Sequence, residues 1–594
     1  MKKTALLLIL SIIAANAIAG KVSEAKARLV ASNFWKLETG ITPQLNNITN
    51  AVGLTELYLF EVAGGNGYMV VSADDVAYPV LAYSLKNGFP TENISPAVMY
   101  MLRNYEHHIV FAREQNEGVM PDVTKEWNEL ENGIAPAAKS STSVAQMMTS
   151  IWSQNEPYND MCPKPDGDDR CVTGCVATAM SQVMRYWKYP THGIGQHSYS
   201  YNDRPVAVTH MLGDSTAVWL YDTLTADYEH TYYAWDNMPD NATPSSPDYA
   251  KQAVATLVFH CGVAVDMVYT PSGSGAFMTR QEVLNFDSVN YSTEIAAEVV
   301  IPQYFGYSPN TVGLLRSNFT TLEWIALVKN ELSNGRPLIY AGNDEGSYYG
   351  HAFVLDGYNE RLYFHCNFGW GGIYDGDYRI DHIAPSMTGH NFSDKQSGIF
   401  YMYPPGHGFF GVSVTCIGDG GSVLDETTAV CDSTVRMNID EDGRQLKIVA
   451  EQGYLIDKIL ADKDTLYSND SARNGNDIAC YYGDEPRTVV CDFTNRKRDV
   501  TLKVTFATNP NEEPLSITET IRDNEKNIKV SAHGKNIELN GEEIGEVNIY
   551  DVIGRRVASH NALGANKTTI TMSKRGLYIV RCGNKSYKVV VGGE

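Results

Sequence analysis

The sequence predicts an α+β protein of several domains: a large mixed block, preceded by a small α+β unit and followed by two β-sandwich-like modules. Three observations carry this prediction. Residues 20–138 combine helical spacing with a glycine-rich hairpin. Residues 139–404 hold an amphipathic helix and long β-rich runs. Beyond 405 the helical spacing disappears, and short alternating strands with polar turns replace it.

The chain has 594 residues, which exceeds one ordinary domain. Charged residues make up 20% and hydrophobic residues 43%, an ordinary globular composition. A net charge of -23 argues against nucleic acid as a partner, because phosphate binding needs a basic surface. Spread over several domains, that acidity serves solubility.

Residues 1–19 read as a secretory signal peptide. Lys2 and Lys3 start it, residues 5–15 are apolar apart from Ser11, and Ala17-Ile18-Ala19 supplies a small-x-small cleavage site. The apolar run is too short to span a bilayer, and no later stretch is long enough, so no membrane span is expected. Export is expected from this segment; the cell exterior or cell surface, reached by way of the periplasm, is the destination implied by the C-terminal resemblance given below.

Residues 20–138 form the small α+β unit. Helical spacing covers 22–37 and 99–115. Between them, 57–62 and 68–72 are β-rich runs joined by Gly64-Gly65-Asn66-Gly67, a hairpin signal. Residues 132–144 are rich in Gly, Ala, Pro, Ser and Thr, the composition at which proteases nick a chain, and a processing site is expected there. Residues 405–525 read as an all-β module, and 526–594 as a second one, with a polar linker at 509–527. Ten cysteines are too sparse for a disulfide scaffold; Cys480 and Cys491 are a candidate bridge. No paired C-x-x-C spacing suggests a zinc site, and no metal or organic cofactor is expected.

The chemistry concentrates in 139–404. After Gly174, the run from Cys175 to Trp187 places Val176, Ala179, Met180, Val183, Met184 and Trp187 on one helical face, and Pro190 stops it. Cys175 therefore opens a helix, where unpaired N–H groups and the positive dipole end favour a thiolate. A buried core cysteine is the competing reading. A thiolate nucleophile needs a base. Gly350-His351-Ala352-Phe353-Val354-Leu355-Asp356-Gly357 is a strand opening with His351, and 362–367 is a second strand. A hairpin turning about Asn359 would set His351 opposite Asn367, on one face of the sheet, where the amide could orient the imidazole. His365 is read as structural, and Trp370 as a shield for the His–Asn pair or as ordinary core. Gln154 is a candidate oxyanion donor alongside the Cys175 N–H.

Together these residues resemble the streptopain family of papain-like cysteine peptidases, including interpain-type precursors. The likeness spans roughly 22–404 and rests on Thr173-Gly174-Cys175-Val176-Ala177-Thr178-Ala179, on the 350–357 strand, on His365-Cys366-Asn367-Phe368-Gly369-Trp370-Gly371-Gly372, and on 262–269 running into 271–276. It implies a papain-like domain at 139–404, with Cys175 as nucleophile, His351 as base, Gln154 in the oxyanion hole, and Asn367 with Trp370 behind the imidazole. It implies that Ser274, Gly275 and Gly350 line the substrate groove, and that an apolar residue is favoured at the second position before the cut. It also implies that 20–138 is a propeptide acting as an intramolecular inhibitor, and that proteins or peptides are the substrates. Phe368 departs from the tryptophan usual there, and 278–304 is longer than in streptopain. The C-terminal segment resembles the sorting domain of type IX secretion, through Val547-Asn548-Ile549-Tyr550-Asp551, Gly576-Leu577-Tyr578-Ile579-Val580 and the Lys588-Val589-Val590-Val591 end; that implies the type IX machinery as a partner. Two other classes fit parts of the pattern: a surface adhesin built on a degenerate peptidase scaffold, and a Cys–His amidase or transglutaminase.

Overall fold

The structure is a computed structural model that describes residues 20–592, except 115–118, 166–168, 201–222, 286–291, 344–349, 381–395, 469–470, 474, 476, 511–527, 542–543, 552–555 and 583–584. The expected signal peptide and most of the expected linker lie outside the described residues. The chain divides into two units, Met1–Gly408 and Phe409–Glu594.

The first unit begins with α1 (Glu24–Thr39), β1 (Leu45–Asn47), α2 (Thr49–Val52), β2 (Leu57–Val62), β3 (Tyr68–Ser72), β4 (Val80–Ser84), α3 (Pro96–Glu114) and α4 (Pro121–Glu131). It continues with α5 (Cys175–Trp187), β5 (Gln196–Tyr199), β6 (Leu224–Asp227), α6 (Asp248–Ala264), α7 (Arg280–Asn285), α8 (Ala297–Phe305), β7 (Val312–Leu315) and α9 (Thr321–Ser333). It closes with β8 (Leu338–Asn343), β9 (Gly350–Tyr358), β10 (Phe364–Asn367), β11 (Gly376–Tyr378) and β12 (Gln396–Phe400).

Local chemistry sets these limits. Ser23 accepts a hydrogen bond from Lys26 N at 3.3 Å, and Gly40 closes α1 at φ +76° by donating to Lys36 O. The helix therefore runs two residues later than the 22–37 that spacing suggests. The expected hairpin forms, with Leu57 opposite Ser72 and Glu61 opposite Tyr68. α5 ends at Lys188, in the left-handed region at φ +48°, and all its residues from Val176 to Met184 are buried.

One antiparallel sheet organises this unit, in the order β1-β2-β3-β4-β11-β10-β9-β8-β12-β7. The N-terminal four strands and the strands after residue 311 are thus a single ladder. Their seam is β4 against β11, where Asp377 opposes Tyr83 and Tyr378 opposes Ala82. Strands β3, β4 and β12 are buried along their whole length, as expected of strands covered on both faces. One hydrophobic core joins α5, α6 and α8 to β8 and β9 through Met180, Val183, Val258, Ile301, Ile339 and Val354.

The second unit is all-β among its described residues. Two five-stranded sheets span Phe409–Ile417 through Val500–Thr508. They alternate buried and exposed residues, most regularly in Val500–Thr508. A three-stranded and a four-stranded sheet then enclose Val530, Ile537, Leu539, Val547, Ile549 and Val580. Both modules are sandwich-like, as the sequence suggests. The disulfide falls at Cys416–Cys431. Cys480 and Cys491 are directly opposed across β-strands with their sulfurs 3.7 Å apart, and they form no disulfide.

Candidate active site

Gly174 sits at φ +84°, ψ 143°, just before the first turn of α5. A Cβ there would lie 2.6 Å from the Met267 sulfur and 3.1 Å from the Ser274 carbonyl oxygen, so only glycine fits. Cys175 follows as the first helical residue and is half-buried. Burial pushes its thiol up from its ordinary value; the backbone N–H groups of Ala352, Val176 and Cys175 itself pull the other way. The Ala352 interaction brings the sulfur to the strand residue next to His351.

His351 is buried, at 7% exposure. Its Nε2 lies 3.1 Å from the Phe368 carbonyl oxygen. A carbonyl only accepts, so Nε2 carries the hydrogen and Nδ1 keeps its lone pair. Burial lowers the imidazole from 6.5 to about 4, with the Phe368 carbonyl opposing the shift. The ring stacks with Phe353 and lies 6.5 Å from the Trp370 ring, and Phe353 in turn packs on Phe368 at 5.0 Å. Burial thus favours the neutral form of both groups in the precursor.

The expected register is not found. Asn367 opposes Val354, not His351. Two features move it. The Asn359 side chain accepts from Arg361 N and Tyr363 N, and Leu362 adopts φ +63°, so the loop centres two residues later than expected. Asp356 then becomes the extra residue of a β-bulge. Its carboxylate binds His365 Nδ1 at 2.5 Å and Met148 N at 2.8 Å, which gives His365 a structural partner. Asn367 is fully buried with its amide engaged elsewhere: Nδ2 donates to Ser150 O at 2.7 Å, and Oδ1 accepts from Gln182 Nε2 at 2.9 Å and Gly369 N at 3.1 Å. It reaches the imidazole only through the main chain, since the next residue carries the carbonyl that His351 meets.

The other site residues are distributed around this pair. Gln154 is buried, and its carbonyl accepts from Thr173 N, two residues before Cys175. The Trp370 indole N–H is buried without a hydrogen-bond partner among the described residues. Ser274 Oγ donates to Val172 O at 2.7 Å and accepts from Thr270 N, so its hydroxyl shapes the loop while its carbonyl faces Gly174. Gly275 bridges to Val268. Gly350 pairs with Asn343 at the start of β9. Sequence reasoning missed Gln182, a polar residue wholly buried on the Cys175 side of α5; its i+7 spacing from Cys175 was the available signal.

The N-terminal segment covers this region. Gly342 is the register partner of His351, and a Cβ on it would lie 2.3 Å from the Tyr100 ring of α3. At the seam, Arg379 is fully buried and pairs with Glu126 of α4 at 2.7 Å, and Lys139 meets the same carboxylate at 3.0 Å.

Residues 152–378 match the peptidase C10 family, 19–109 the Spi protease inhibitor, and 509–591 the secretion system C-terminal sorting domain. The thiol protease/hemagglutinin PrtT of Porphyromonas gingivalis is 28% identical over 390 residues; the match covers 63% of this chain and 40% of that protein's length. Streptopain of Streptococcus pyogenes is 27% identical over 376 residues, covering 60% of this chain and 83% of streptopain. A solved fragment of Prevotella intermedia prointerpain A is 33% identical, covering 61% of this chain and 99% of that fragment, with a TM-score of 0.46. By these sequence matches the chain carries a peptidase C10 domain of the streptopain family of cysteine peptidases, with a protease-inhibitor segment before it and a secretion sorting domain as its second β module.

Proposed function

We propose that this chain is the zymogen of a secreted cysteine endopeptidase with Cys175 as nucleophile and His351 as base. The observation that carries the reading is the seat of Cys175, at the first turn of a buried helix and against the Ala352 N–H, one residue from His351. In the mature enzyme His351 takes the thiol proton, and the sulfur attacks a peptide carbonyl. Gln154 and the Cys175 N–H hold the oxyanion. The imidazolium protonates the leaving amine and then draws a proton from the water that releases the acyl group. Asn367 supports the imidazole by holding the Phe368 carbonyl, and Trp370 keeps water from it. Ser274, Gly275 and Gly350 border the substrate groove, and an apolar residue is favoured at the second position before the cut.

Under this reading residues 1–19 direct export and 20–138 inhibit. Residues 139–404 form the peptidase domain, 405–525 a β module, and 526–594 engage type IX secretion. Lys139 N and Ser140 N bond Glu360 O within the irregular stretch where cleavage is expected, which supports a start of the mature chain near 139. Cys175→Ala should abolish both casein cleavage and self-processing of the full-length chain. Self-cleavage persisting in that variant would assign the nucleophile elsewhere.

A further inference from the structure

Gln182 follows Cys175 by seven residues on α5, so the two share one stripe of the helix, about 10 Å apart along its axis. It is wholly buried on the helix side it shares with Cys175, Thr178 and Ala179, in a stretch buried throughout from Val176 to Met184. A buried amide is costly unless its donors and acceptor are used. Here they are used by two separate segments. Oε1 accepts from the Trp152 backbone N–H at 3.1 Å, and Nε2 donates to Asn367 Oδ1 at 2.9 Å; Asn367 Nδ2 returns a longer bond to Oε1 at 3.3 Å.

Each segment carries part of the site. Trp152 lies two residues before Gln154, and its carbonyl accepts from Gly371 N, next to Trp370. Asn367 precedes Phe368, whose carbonyl holds the His351 imidazole. We propose that Gln182 is a positioning residue: one side-chain amide, anchored on the nucleophile's own helix, sets the oxyanion loop and the support of the base against each other. The inference rests on the assignment of Cys175, His351 and Gln154 given above. An apolar side chain of the same size would fill the space and keep the fold while leaving both segments free to shift, and small displacements of reacting groups cost rate more than binding.

The test uses the full-length chain as wild type, Gln182→Leu, Gln182→Glu and Cys175→Ala. All are processed by the same added serine peptidase, which is then inhibited, and assayed on a fluorogenic peptide from pH 5 to 8. Gln182→Leu should lower kcat roughly 10- to 100-fold and leave KM within about threefold. In Gln182→Glu the introduced carboxyl donates to Asn367 Oδ1 while protonated, and sets oxygen against oxygen once ionised. Its activity relative to wild type should stand near one at pH 5 and fall about tenfold or more by pH 8. A flat ratio across that range overturns the proposal, as does an unchanged kcat in a folded Gln182→Leu; should that variant not fold, the pH ratio alone decides. Activity in Cys175→Ala would overturn the nucleophile assignment and this inference with it. An inactive Cys175→Ala beside a flat Gln182→Glu ratio would overturn this inference alone.

Discussion

Replacing Glu126 by alanine should loosen the inhibitory segment. The Arg379 side chain is 0% exposed and that of Glu126 5%, with 2.7 Å between their charged atoms. Removing one member of such a buried pair strands the other, at about 3–5 kcal/mol. Arg379 keeps some support: Nε donates to Val80 O at 3.1 Å, a longer contact reaches Tyr363 Oη at 3.4 Å, and the Tyr78 and Tyr363 rings lie 4.3 and 4.5 Å away. Lys139 loses its contact with that carboxylate as well and keeps the Tyr78 ring, 3.5 Å away. The low end of the range applies, ~3 kcal/mol, or roughly a 100-fold larger population with the seam open. Hydrogen exchange across the β4–β11 ladder reads this directly, with Cys175→Ala present in every protein compared to keep the precursor intact. The amides of 80–84 and 376–379 should exchange ~100-fold faster in Glu126→Ala, and less than that in Glu126→Gln, which keeps an acceptor. Equal exchange in all three proteins would refute the claim that this pair holds the segment down.

The remaining predictions concern the site and its pH response. Gly174→Ala should abolish activity, because the added methyl meets Met267 at 2.6 Å at a residue held at φ +84°; the processed variant is assayed against wild type by peptide hydrolysis. Burial lowers His351 from 6.5 to about 4, so the precursor loses stability as pH falls between those values, by roughly 3 kcal/mol; thermal unfolding of His351→Gln from pH 7 to 4 should lack that loss. Asp375 behaves oppositely. Burial raises it from 3.8 to about 7, so its contribution is present at low pH and is lost as pH rises through that window, at most ~4 kcal/mol; Asp375→Asn should be the more stable precursor at pH 8 by the same assay.

Much of this is legible in the sequence alone. Apolar spacing after Gly174 located α5 and put Cys175 at its start, because a helix with one buried face writes its period into the chain. The strand that opens with His351 and the 57–72 hairpin were legible for the same reason. The His351–Asn367 register was not. It turned on the Asn359 side chain lengthening a loop and on Asp356 bulging out to reach His365 and Met148, partners that only the folded chain brings near. The helices at 121–131, 248–264, 297–305 and 321–333 went unnoticed. In α6 the cause is plain: nearly all its residues after Ala253 are buried, so no polar face marks the period. The joining of the N-terminal strands to the peptidase sheet is a long-range pairing that no local pattern encodes.

The central claim is that Cys175, served by His351, does the chemistry. An epoxide peptide inhibitor added to the processed full-length chain, followed by peptide mapping, tests it most directly. The account predicts one adduct, on the Cys175 sulfur, forming in step with loss of peptidase activity, absent after denaturation and strongly slowed in His351→Ala. An adduct on another cysteine that tracks the loss of activity, or full activity with Cys175 modified, would contradict it.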